Sequence, residues 1–209
     1  MKFIFFLSFA FVFTILPLAS QEVTKFNLEQ VATIEVSTAM ELQNKAYRQK
    51  AQSYYNKHNL VLAPGRAVFQ QVGVNELQKE ALALYARIIH ETKRGDYGDF
   101  PQVGVDPEIS AQDLADINED IKDQMMAPQP MDVKVTKWIG TDIVKLNGQY
   151  ALHIAYVRRM DTKPLVRVDR YSFFNNNRLQ NLTLSYRLSE AERWKPVLAY
   201  ALDSYRVSR

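Results

Sequence analysis

Alternation and helical spacing divide the chain into a mixed first half and a strand-rich second half. Ala32-Thr33-Ile34-Glu35-Val36 alternates apolar with polar positions, which predicts a strand. A polar, helix-favouring run from Glu41 to Lys57 follows, with Tyr47, Ala51, Tyr54 and Tyr55 at helical spacing. Pro64-Gly65 marks a turn, and Ala67 to Val72 reads as a second strand. The next piece is ambiguous. Leu77, Ala81, Leu84, Tyr85, Ile88 and Ile89 fit a helical stripe, while Tyr85 to Thr92 also fits a strand; local periodicity favours the helix.

Ser110 to Met126 carries the clearest helical pattern. Ser110 and Asp113 have capping-box spacing, Leu114, Ile117, Ile121 and Met125 share one face, and Pro128 and Pro130 end the run. From Val133 onward the period changes to two. Val133–Ile139 and Ile143–Leu146 lead into Asn147-Gly148, a hairpin-turn dipeptide, and Tyr150–Arg159, Leu165–Phe174 and Leu179–Leu188 continue the meander. Ser189 and Glu192 then have the spacing to cap a last helix whose core face is Trp194, Val197, Leu198, Ala201, Leu202 and Tyr205. Pro196 inside that segment predicts a distinct or kinked first turn.

The first residues change the expected location. Lys2, the apolar run Phe3 to Leu16 and the small residues near Ser20 have the layout of a secretory leader, so residues 1–20 are read as a signal peptide and 21–209 as one exported domain. The apolar run is shorter than the roughly 20 residues a spanning helix needs, and no later segment approaches that length, so no stable membrane insertion is expected after cleavage. The chain has no cysteine, which removes a lipid anchor, a disulfide framework and thiol chemistry together. A periplasmic or extracellular protein that is not a lipoprotein is the expectation. The formal charge of +3 includes Lys2, and a near-neutral exported chain argues against nucleic acid as a partner. Charge is nonetheless uneven: acids dominate from Asp96 to Asp123, and bases from Tyr156 to Lys195.

The meander followed by Leu184-Ser185-Tyr186-Arg187-Leu188-Ser189-Glu190-Ala191-Glu192-Arg193-Trp194-Lys195-Pro196 resembles bacterial exported proteins of the PsbP/DcrB-like superfamily. Val68-Phe69-Gln70-Gln71, Tyr85-Ala86-Arg87-Ile88-Ile89 and Asn147-Gly148 leading into Leu152-His153-Ile154-Ala155-Tyr156 are similar to the same group. The resemblance spans roughly residues 30–206 and rests on packing and turn residues. It implies an α/β (α+β) sandwich, with a mostly antiparallel sheet of about six to seven strands between helices. It also implies that 84–92 is a strand, against the local periodicity. The better-understood members are accessory proteins, and no catalytic residue set comes with the resemblance.

Candidate chemistry is sparse. Gly95-Asp96-Tyr97-Gly98-Asp99-Phe100, with Glu91 before it and Asp106 after, offers Asp96 and Asp99 as oxygen donors to a hard cation, yet it matches no EF-hand, and a glycine-shaped connection with solvated acids is the better reading. His58, His90 and His153 lie far apart in sequence; His90 and His153 can approach across a sheet, but nothing nominates a third zinc ligand. Ser172, Ser185 and Ser189 have no nucleophile-elbow context. No catalytic residue, cofactor or metal is assigned.

Two surfaces remain as partner candidates. One is the acidic helix face of Asp113, Asp116, Asp120 and Asp123; the other is an arginine–tyrosine sheet face with Arg158, Arg167, Arg170 and Arg187 beside Tyr156, Tyr171 and Tyr186. The same residues also suit solvation and cross-strand packing. The leading expectation is a non-enzymatic accessory protein that binds another envelope protein. A small-ligand or metal-binding protein with a pocket beside 94–106 comes second, and a hydrolase of envelope polymers third.

Overall fold

Asn147 and Gly148 both adopt positive φ, 52° and 82°, the backbone that a tight hairpin with right-twisted strands requires. They join β-strands that pair along almost their whole length, Val133–Leu146 and Gln149–Met160. The computed structural model describes residues 22–57, 65–102 and 109–208. The segment 1–20, His58 and Asp106 lie outside the described residues.

The described strands are β1 (Val23–Leu28), β2 (Ala32–Ser37), β3 (Met40–Leu42), β4 (Ala67–Gln71), β5 (Ala86–Arg94), β6 (Val133–Leu146), β7 (Gln149–Met160), β8 (Val166–Asn175), β9 (Arg178–Arg187) and β10 (Arg206–Val207). The helices are α1 (Lys45–Asn56), α2 (Lys79–Ala83), α3 (Ala111–Met126) and α4 (Ala191–Ser204). Seven strands form one antiparallel sheet in the order β3-β4-β5-β9-β8-β7-β6. A second, three-stranded sheet has the order β1-β2-β10. This is the expected α+β sandwich, with a small sheet that the sequence pattern did not announce.

Period-two alternation gives the large sheet two differently used faces. On one face Phe69, Ile88, Leu182, Leu184 and Phe173 meet Ile34 and Val36 of β2 and Trp194, Leu198 and Ala201 of α4. Trp194 and Ala201 are fully buried, and the apolar stripe of α4 is what closes the core. Burying each of its large side chains contributes about 1.5–3 kcal/mol. On the opposite face lie Val68, Val168 and Ile154, with α3 over the edge strand β6 and α1 beside Arg87 of β5.

Three expectations need correction. The ambiguous stretch splits: α2 is a five-residue helix, and β5 starts at Ala86, so the strand implied by resemblance holds and the helical stripe does not extend. Val133–Ile139 and Ile143–Leu146 are one strand, bent by irregular pairing near Val135/Lys137 and Trp138/Gly140. Ser189 does not cap α4. A 3-10 turn over Leu188–Glu190 runs straight into the helix, and the Ala191 amide bonds the Leu188 carbonyl, which leaves the serine side chain no capping task. Pro196 lies on the solvent side, and the helix continues through it.

Candidate functional site

The acidic helix forms as its cap predicts. Ser110 Oγ accepts from the Asp113 amide at 3.1 Å while Asp113 Oδ2 accepts from the Ser110 amide at 3.2 Å, closing the reciprocal box at the start of α3. Asp113 is thereby committed to the cap. Asn118 fastens the helix to β6: its Oδ1 accepts from Trp138 Nε1 and from the Thr141 amide, both at 3.0 Å. Ile139 is the residue skipped by the irregular pairing, and the Thr141 amide just beyond it, on edge strand β6, is the one given to the helix. Asp116, Asp120 and Asp123 point to solvent, and Leu114, Ile117, Ile121 and Met125 are only half-covered. The ion pair described on this helix is Lys122 with Glu119, within α3 itself.

The arginines do not share one face. Register places Arg167 beside Tyr186 and Asp169, on the α4 side of the sheet, whereas Arg158 and Arg170 lie on the α3 side. Arg167 is also not free. It grips Asp169 with Nε at 2.8 Å and Nη2 at 2.7 Å, and His153 Nε2 meets the same carboxylate at 3.0 Å. His153 stacks on Tyr171 at 4.5 Å between ring centroids. Burial would push the Asp169 carboxyl up, but the hydrogen bonds from Arg167 and His153 outweigh it and hold the group below the usual carboxylate range. The single arginine–tyrosine surface expected from sequence is therefore two sites, and Arg167 belongs to an internal ion-pair cluster. Arg187 is likewise engaged, donating to the Ala83 carbonyl at the end of α2.

On the α3 side the residues are differently provided. Arg87, Ser185, Val168, Tyr156 and Trp138 form one cross-strand row, and Arg158 and Arg170 flank it. Tyr85 enters just before β5. Its ring carries the Arg87 guanidinium at 5.3 Å, and its hydroxyl lies 3.5 Å from Arg158 Nη2 and 3.4 Å from Ser185 Oγ. Burial would raise the Tyr85 hydroxyl, but Arg87 and Arg158 outweigh it and hold it below its ordinary value. Among the described residues no carboxylate pairs with Arg87, Arg158 or Arg170; the described ion pairs are Arg66–Glu91, Lys122–Glu119, and His153 and Arg167 with Asp169.

No protein-family model matches the chain, and no curated protein matches it. Solved structures do. Cyanobacterial PsbP from Synechocystis sp. PCC 6803 superposes with a TM-score of 0.51 over 92% of this chain and 96% of its own, at 11% identity. The fold is PsbP-like. A Bacteroides thetaiotaomicron protein of known structure aligns over 88% of this chain and 48% of its own, with a TM-score of 0.47 and 6% identity.

Within this PsbP-like frame the remaining candidates fall into place. The 94–102 segment is stapled to the β8–β9 turn by amides of Gly95, Gly98 and Phe100 donating to Asn177 and Asn176. Asp99 Oδ2 accepts from the Asp96 amide at 2.7 Å, so this carboxylate shapes the loop. A side chain at Gly95 would collide with that same carboxylate. His90 and His153 do occupy one cross-strand row, but Leu182 and Tyr171 stand between them. His90 is fully buried, and neither ring nitrogen has a hydrogen-bond partner among the described residues. Burial lowers its pKa to about 4. Among the described residues no group of three His, Cys, Asp or Glu side chains is placed to hold a metal, and no helix is long and apolar enough to cross a membrane.

A cleft of about 380 Å³ opens away from that loop, between β2 and the end of α4. Its wall includes Lys25, Glu35, Asp203 and Arg206, and Tyr200 closes one side by donating to Glu35 Oε2 at 2.8 Å. Its charged wall differs from an apolar ligand pocket with a few convergent polar groups. Sequence reasoning missed the Arg167–Asp169–His153 cluster and the Tyr85–Arg158 contact. The alternation of Arg167, Asp169 and Tyr171 on one strand face was a usable signal for the first; the second depends on strands three apart in the sheet.

Proposed function

We propose that this protein is an exported, non-enzymatic accessory protein that binds another envelope protein through the acidic face of α3. The observation that carries the reading is the way α3 is mounted. It is tied to edge strand β6 through Asn118 and presents Asp116, Asp120 and Asp123 outward, and no basic residue of the described chain pairs with these three. Its apolar row is only half-covered, so a basic partner surface with an apolar centre complements it in both charge and polarity. The leader-like start of the chain supports export, and the PsbP-like fold is compatible with an accessory role.

The test is a double charge reversal, Asp116→Lys with Asp120→Lys, in a tagged protein crosslinked in cells and analysed by mass spectrometry. Both positions are exposed, so the domain should keep its melting temperature while the dominant crosslinked partner is lost. An unchanged partner profile would remove α3 from the reading. A profile with no reproducible partner in the unmodified protein would remove the accessory role itself.

A further inference from the structure

The α3 side of the sheet carries four guanidinium groups, of Arg87, Arg158, Arg170 and Arg187, in partly buried positions with no acidic counterpart among the described residues, and Arg187 is taken up by the Ala83 carbonyl. Taking a charge out of water is costly unless an opposite charge meets it. On the other face of the same sheet the chain solves this for Arg167 with Asp169. Here it supplies instead a set of donors. Arg87 lies over the Tyr85 ring at 5.3 Å and gives one hydrogen bond to Tyr55 of α1, which leaves the rest of its fork, while Arg158 reaches the Tyr85 oxygen at 3.5 Å and Ser185 stands 3.4 Å from that oxygen. Arg170 sits one row along β8, beside Tyr156. The Tyr85 and Ser185 hydroxyls share one hydrogen bond, so one of their two protons remains available to a further acceptor.

We propose that Arg87, Arg158, Tyr85 and Ser185, with Arg170 at the margin, form a binding site for a phosphate-class oxyanion. Guanidinium forks match a phosphate with paired N–H donors, and the one free proton of the Tyr85–Ser185 hydroxyl pair completes a donor set that offers a ligand positive charge but no competing carboxylate. Two full charges converging on Tyr85, with a third nearby, suit a dianion better than a single carboxylate. The site is separate from the acidic face of α3 and does not depend on the proposed partner there. Its chemistry fits either a free phosphate ester or the phosphate of a lipid headgroup.

Calorimetric titration of the purified protein with inorganic phosphate, against chloride at matched ionic strength, tests it. The expected result is one-to-one binding in the unmodified protein, weakened by at least about tenfold in Arg158→Gln through loss of a charge-assisted hydrogen bond. Should Arg158→Gln fail to fold, Tyr85→Phe removes one hydroxyl and should weaken binding by several-fold. Cosedimentation with phosphatidylglycerol vesicles, using phosphatidylcholine as control, then separates the sources. Arg158-dependent retention assigns a lipid headgroup, and phosphate binding without retention assigns a free phosphate ester. No phosphate binding at millimolar concentration, or unmodified affinity in the folded variants, overturns the site.

Discussion

Gln71 sets the register at which Ala86 becomes a strand. Its Oε1 accepts from the Ala86 amide at 3.2 Å, and its Nε2 donates to the Ala81 carbonyl at 2.7 Å and to the Leu84 carbonyl. Leu84 is extended, with φ −94° and ψ 142°, so the helix stops at Ala83 although the apolar spacing runs on to Ile89. A buried side chain at the end of one strand thus captures the backbone groups that a continuing helix would have paired for itself.

Replacing Gln71 with Leu leaves those groups without their partner in a site where Gln71 is buried. The expected cost is about 2–4 kcal/mol, seen as a lower urea midpoint with an unchanged slope. Amide exchange should accelerate first at 79–86. A variant as stable as the unmodified protein would show that local packing, and not the glutamine, ends α2.

His90 gives the protein an acid-sensitive core. Its pKa is lowered from 6.5 to about 4 by burial, so the unfolded chain takes up a proton at higher pH than the folded one does. Stability from this group is therefore complete above about pH 6.5 and is lost as pH falls toward 4, by about 3 kcal/mol at most. Asp169 acts in a lower window, because its depressed carboxyl loses its contribution only as pH falls below the ordinary aspartate range. His90→Leu should flatten melting temperature between pH 6.5 and 4 and leave the lower fall in place. An undiminished slope in that variant would assign the acid sensitivity elsewhere.

The parts of the fold that were legible in the sequence are those where local chemistry and tertiary demand agree. Asn147-Gly148 supplies the positive φ its hairpin uses, Ser110 and Asp113 form the box their spacing allows, and β7 to β9 keep a period of two. The β1–β2 hairpin was only half visible. β1 is mostly exposed and so shows little alternation, and its turn uses Glu29 and Gln30 at positive φ where no glycine announces it. Asn27 compensates by accepting from the Gln30 amide at 2.9 Å. β10 is two residues long and is held by β2, which no local pattern encodes. For the sites, residue type and face were readable along a strand, but pairing across strands was not. Asp169, two residues along the same strand, announces the partner of Arg167, whereas only the register shows that Arg158 faces Tyr85.

Asn118 is the residue on which the mounting of α3 depends. No residue of the helix is fully buried, so its place is held by a half-covered apolar row and by the two hydrogen bonds that Asn118 accepts from Trp138 and Thr141. Trp138 in turn stacks on Tyr156 at 6.3 Å with an interplanar angle of 10°, which links the helix anchor to the arginine-bearing strip of the sheet. Asn118→Ala removes the one oxygen that accepts both bonds while leaving every acidic residue of α3 in the sequence. It should destabilise the domain by about 1–3 kcal/mol. Exchange protection should fall across 111–126 well before it falls in β7 to β9, since the large sheet does not need α3 to pair its strands. Equal loss of protection in helix and sheet would instead make α3 part of one cooperative unit with the core, and Asn118 a minor contributor to its position.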